Sequence, residues 1–129
     1  MNRRTIVLAG LLGSLPFADG IAQQPELTVI YVGGWDCGPC INWKNTKKAD
    51  WLASKERSRV RYVEIEAPKL KEAYQDQYWP QELRAIRDQL AKKSGTPRFV
   101  IVRGDKVISS EWGAGEWDRT QQKLRELLA

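Results

Sequence analysis

The chain has 129 residues, 42% hydrophobic and 29% charged, which suits one modest globular domain and leaves no room for a second catalytic one. It carries no histidine, which excludes Ser-His-Asp and Cys-His nucleophile chemistry, histidine-ligated metals and imidazole proton shuttles. Two cysteines cannot supply a four-thiolate zinc site within one chain. The formal charge of +5 is scattered rather than blocked, so it points to solubility or an acidic partner and not to nucleic acid.

Asn2-Arg3-Arg4 is a short positive head, followed by an uncharged, mostly apolar run from Thr5 to Ala18. Gly20-Ile21-Ala22 then offers small residues where a signal peptidase cuts, before Gln23. This layout predicts a signal peptide over 1–22, a single domain over 23–129, and a periplasmic location in a bacterium, where a dithiol can act as a redox couple. The run is shorter than the roughly 20 residues needed to span a bilayer. Arg3-Arg4 is only a fragment of a twin-arginine signal, so the export route stays open.

Leu27 to Val32 is β-branched and aromatic and reads as a buried strand stopped by Gly33-Gly34. Cys37-Gly38-Pro39-Cys40 opens a helix expected to run to about Glu56. At 100° per residue, Cys40, Trp43 and Trp51 share its core-facing stripe, whereas Cys37 at its start is expected to face out. Val60 to Ile65 alternates as a second strand, closed by Ala67-Pro68. Leu70, Ala73, Tyr74 and Tyr78 follow helical spacing and predict a short helix, with Tyr74, Tyr78 and Trp79 packing on the core. Pro80 is read as the first position of a further helix, with Leu83, Ile86 and Leu90 as its apolar stripe, Lys92 and Lys93 near its end and Gly95 beyond it. Phe99 to Val102 and Lys106 to Ile108 form a hairpin about Arg103-Gly104-Asp105, whose turn role accounts for that tripeptide without an adhesion receptor. Trp117, Leu124, Leu127 and Leu128 line a last helix.

Two thiols two residues apart at a strand-to-helix junction have a physical reason to be there. A cysteine at a helix N-terminus meets unpaired N–H groups and the positive end of the dipole, both of which favour the thiolate that attacks disulfides. Cys37 is therefore the predicted nucleophile and Cys40, one turn on, the resolving thiol. Pro39 enters the first turn without removing a needed hydrogen bond.

At these residues the sequence resembles the thioredoxin family. Trp35-Asp36-Cys37-Gly38-Pro39-Cys40 is similar to the family's Trp-Cys-Gly-Pro-Cys active-site motif. Gly95-Thr96-Pro97 resembles its cis-proline loop, and Trp112-Gly113-Ala114 its groove glycine segment. The resemblance implies an α/β thioredoxin-like fold, nearest a minimal glutaredoxin-like β-α-β-α-β-β-α core with a short helical insertion across roughly Pro68 to Trp79. It implies catalysis by Cys37 and Cys40, with Gly38 and Pro39 completing the motif and Trp35, Thr96, Pro97 and Gly113 contacting substrate. No bound cofactor or metal is implied, because electrons travel through the Cys37–Cys40 disulfide. The implied partners are client proteins with disulfides and a membrane electron donor, the protein acting as a monomer; the Gly-Pro dipeptide resembles reducing members.

Two departures stand beside the likeness. Asp36 separates Trp35 from Cys37, and a carboxylate there should oppose thiolate formation. The family's buried aspartate, proton acceptor for the resolving cysteine, is missing from Val29-Ile30-Tyr31-Val32, which leaves Glu64, Glu66, water or the partner to serve. The tryptophans other than Trp35 are expected in or at the edge of the core. A non-catalytic binding module and a Cu(I) carrier are the readings from other classes, although the copper-assembly proteins of this fold also use a histidine.

Overall fold

The computed structural model describes residues 25–91 and 95–129. The expected signal peptide, and Lys92-Lys93 at the end of the helix expected after Pro80, lie outside the described residues.

The strands are β1 (Leu27–Gly34), β2 (Arg61–Ala67), β3 (Arg98–Arg103) and β4 (Lys106–Trp112), in the sheet order β2-β1-β3-β4. β1 pairs parallel with β2 and antiparallel with β3, and β3 pairs antiparallel with β4. Side-chain clusters cover both faces of β1, which is why Leu27 to Val32 reads as an almost unbroken apolar run. Side chains alternate across the sheet. Val29, Tyr31, Phe99 and Ile101 pack on one face with Trp43, Trp51, Trp117 and Leu124. Ile30, Val32, Ile65, Val100 and Val102 pack on the other with Trp79, Leu83, Ile86 and Leu90. The helices are α1 (Gly38–Thr46), α2 (Lys48–Leu52), α3 (Arg84–Asp88) and α4 (Trp117–Leu128). The observed order carries the expected β-α-β-α-β-β-α core.

The departures from expectation each have a local cause. Gly33 and Gly34 do not stop β1 but extend it, pairing with Glu66 and Ala67 of β2. The helix expected to reach Glu56 breaks at Lys47 into α1 and α2. There the Thr46 hydroxyl donates to the Asn42 carbonyl at 2.7 Å, a back-bond that bends helices. The helix expected across Leu70 to Tyr78 is instead two 3₁₀ turns, Leu70–Glu72 and Asp76–Tyr78. Side chains take the carbonyls that an α-helix would use: Trp79 Nε1 donates to Ala73 O, Arg87 to Tyr74 O and Arg84 to Asp76 O. Pro80 precedes rather than starts its helix, which runs as a 3₁₀ turn (Gln81–Leu83) and then the short α3. Its stripe of Leu83, Ile86 and Leu90 is buried as expected. Gln89 joins this segment to the hairpin, donating to Asp105 O at 2.6 Å and accepting from Val107 N–H at 3.0 Å.

On the face carrying Tyr31, Glu64 of β2 accepts from Lys48 at 2.7 Å and from the Tyr62 hydroxyl at 2.8 Å. Burial pushes its carboxyl up, but these hydrogen bonds outweigh burial and hold it below the ordinary carboxylate value. A carboxyl lowered on folding stabilises the fold above its unfolded pKa of about 4.3, and that stabilisation is lost as pH falls through the folded value. Lys48→Met is expected to destabilise the protein near neutral pH by less than about 1 kcal/mol. The difference from the parent should shrink below about pH 4, which urea midpoints at neutral and acid pH will check.

Candidate active site

Cys37 and Cys40 are joined by a disulfide, with 5.1 Å between their Cα atoms. Cys37 is the N-cap of α1, with extended φ and ψ, and its Sγ accepts from the Cys40 N–H at 3.2 Å. The Thr96 hydroxyl donates to the same sulfur at 3.3 Å. No acidic side chain lies in the first turn of α1. A helix N-terminus, a backbone donor and a hydroxyl therefore converge on Cys37 Sγ, and all three favour negative charge there.

Cys37 does not face out. It is 1% exposed and Cys40 is wholly buried. The helical projection places Cys37 away from the sheet, but it says nothing of the Thr96-Pro97 loop, 59 residues on, that closes over the sulfur. What faces solvent is the rim: Trp35 at 66%, Trp112 at 52% and Ile41 at 46% exposed, with Gly38 and Pro39 also exposed.

The Thr96–Pro97 peptide bond is cis, as the resemblance implies. Gly113 N–H donates to Pro97 O at 2.8 Å, which joins the two segments named as the substrate groove. Trp35 is held from behind, its N–H donating to Ala67 O at 3.0 Å while its side chain stays exposed. Thr96 thus touches Cys37 directly, Gly113 joins through Pro97, and Trp35, Gly38 and Pro39 flank the disulfide along the chain.

Sequence reasoning named three further residues without finding what they do at the site. Trp112, expected in the core or at its edge, stands out of the last strand and shields Gly95, where a Cβ would lie 3.1 Å from its Cγ. Its ring lies over the Arg98 guanidinium, 5.5 Å from the ring centre. Its place beside the groove glycine was the available signal. Asp36 accepts from the Leu70 N–H at 2.7 Å, so the extra carboxylate ties the active-site loop to the insertion. Gly34 permits that approach, since a Cβ there would be 2.6 Å from the Leu70 Cα. Tyr74, partly buried and packed against the core as expected, donates to Gly95 O at 2.7 Å and so ties the same insertion to the cis-proline loop. Burial pushes the Tyr74 phenol up against the opposing pull of Arg98, which keeps the hydroxyl a donor.

The arrangement of strands and helices has counterparts among solved structures. The periplasmic thioredoxin SoxS of Paracoccus pantotrophus, in its reduced form, superposes with a TM-score of 0.57 at 20% identity, covering 79% of this chain and 95% of its own. The fold is the thioredoxin fold. Thioredoxin f of spinach chloroplast matches at a TM-score of 0.55 and 18% identity over 84% of this chain and 81% of its own. The oxidised thioredoxin of Plasmodium falciparum matches at 0.52 and 16% over 88% and 92%. No family model matches the sequence, and no curated protein matches it.

Within this thioredoxin fold the insertion buttresses both loops that meet at the disulfide. Tyr74→Phe deletes only the hydroxyl bonded to Gly95, and is expected to cost about 1 kcal/mol. It should slow reduction of a protein disulfide such as insulin more than reduction of a small aromatic disulfide, because only the former leans on the loop. Equal slowing of both would show that the Tyr74 bond supports the fold and not the groove.

Proposed function

We propose that the protein is an exported thiol–disulfide oxidoreductase that reduces disulfides of client proteins. The observation that carries this reading is the convergence on Cys37 Sγ of a helix N-terminus, the Cys40 N–H and the Thr96 hydroxyl, inside a rim of exposed apolar side chains. In the forward direction the Cys37 thiolate attacks a client disulfide and releases one client thiol, and the Cys40 thiolate then displaces the second. Two electrons pass to the client and the Cys37–Cys40 disulfide forms. The exposed faces of Trp35 and Trp112 suit an extended client segment with an apolar side chain next to its cysteine. No cofactor takes part in these steps.

The reducing direction rests on the likeness of Cys37-Gly38-Pro39-Cys40 to reducing thioredoxins. Export rests on the leader-like segment, and the periplasmic thioredoxin among the structural matches supports it. An exported reductant must be recharged, and a membrane dithiol donor is the partner that this location calls for.

Equilibrating the mature protein against a thiol redox buffer is expected to give a potential near about −270 mV. A value near about −120 mV would reverse the direction, and a pair unreduced well below about −300 mV would be a structural staple. In its native compartment, Cys40→Ser should accumulate a covalent client adduct through Cys37 that a reductant dissolves. No adduct with any client would count against the enzyme reading.

A further inference from the structure

Beneath the disulfide lies a group of titratable side chains that the two thiol steps leave unused. Tyr31, on the central strand, is fully buried, with its ring stacked on Trp43 at 4.9 Å and 13°. The ring runs along the strand into the space above Gly33. A Cβ at Gly33 would overlap the Tyr31 hydroxyl and lie 3.1 Å from Cys40 Sγ. The phenol oxygen and the resolving sulfur thus both border the position that a Gly33 Cβ would take. On its other side the hydroxyl donates to Glu66 Oε2 at 3.3 Å. Lys44 of α1 pairs with that same carboxylate oxygen, and its ammonium lies 5.7 Å from the Tyr31 ring centre. The Glu66 side chain is 20% exposed, so this chain of groups runs from the buried sulfur to water.

We propose that Tyr31 and Glu66 form the proton path that deprotonates Cys40 for the resolving step, with Lys44 as the residue that positions Glu66. The proposal rests on the oxidoreductase reading and deepens it. Once the disulfide opens, rotation about the Cα–Cβ bond of Cys40 brings its thiol onto the Tyr31 hydroxyl. The thiol proton passes to the phenol oxygen as the phenol proton passes to Glu66. The Cys40 thiolate then forms its bond to Cys37 Sγ as the bond from Cys37 to the client sulfur breaks. The client leaves as a thiolate and takes a proton from water, and Glu66 returns its own to water. Burial first, and then the Glu66 charge, raise the Tyr31 phenol well above its ordinary range, so it hands a proton on without remaining ionised. The other charged or titratable groups facing this path are Glu64, paired with Lys48, and Tyr62, all on the same side of the sheet.

The test uses the reduced protein and the coloured aromatic disulfide dithiobis(nitrobenzoate). The first equivalent of thionitrobenzoate released reports attack by Cys37, and the second reports resolution by Cys40. Tyr31→Phe keeps the ring on Trp43 and removes only the hydroxyl. The first phase is expected to be unchanged and the second to slow by roughly 10- to 100-fold near neutral pH, at or below the usual contribution of a positioned acid–base group. The deficit should close as pH rises through about 8.5, where a thiol ionises to water unaided. Glu66→Gln should show the same pattern, and the double variant should be no slower than the slower single one. Because Glu66 is part-exposed, its variant keeps the test alive should Tyr31→Phe fail to fold. Second phases that match the parent in rate and pH profile, or effects of the two substitutions that multiply, would overturn the path and leave the redox reading standing. A parent that shows no second phase would overturn the redox reading itself.

Discussion

Gly33 and Gly34 end the central strand without side chains, and three groups occupy the space they leave. The Tyr31 hydroxyl and Cys40 Sγ flank Gly33, and the Leu70 backbone lies against Gly34. Interiors pack without spare volume, so a methyl group at either glycine has to push something aside. At Gly34 that would be main chain, which moves only with the insertion behind it. The disulfide's depth, the insertion's seat and the approach of the phenol to the resolving sulfur all follow from two absent Cβ atoms.

The two sulfurs sit in opposite electrostatic settings. Cys37 receives donors: the Cys40 N–H, the Thr96 hydroxyl and the positive end of α1. Cys40 lies within the core against Tyr31, which leads to the carboxylate of Glu66. Such a division suits a nucleophile that must hold charge and a resolving thiol that must lose a proton only when its turn comes. The carboxylate sits on the neighbouring strand, in register with Gly33, and a tyrosine stands between it and the sulfur. Asp36, which by position should oppose the Cys37 thiolate, spends its Oδ1 on the Leu70 N–H.

The insertion between β2 and α3 is more than filler on the second face of the sheet. Trp79 and Ala73 anchor it in the core with Leu83 and Ile86. From that anchor it reaches the active-site loop through Leu70 and Asp36, and the cis-proline loop through Tyr74 and Gly95. The two loops that meet at Cys37 are therefore braced by one short segment, and Arg98, between Tyr74 and Trp112, extends the brace to the last strand.

Alternation and local chemistry were legible in the chain itself. The four strands, the burial of Cys40, Trp43 and Trp51 and the placing of Cys37 at a helix start follow from period-2 and period-3.6 patterns and from short-range capping, which involve only near neighbours. The family motifs added the cis bond at Pro97. What tertiary structure alone decided was where distant side chains compete for backbone and space. Trp79, Arg84 and Arg87 draw carbonyls out of an expected helix, Thr96 closes over a cysteine expected to face out, Trp112 stands in solvent, and Tyr31 reaches Glu66 across 35 residues. None of these has a periodicity. Each depends on which strands become neighbours, and that is settled only when the whole sheet assembles.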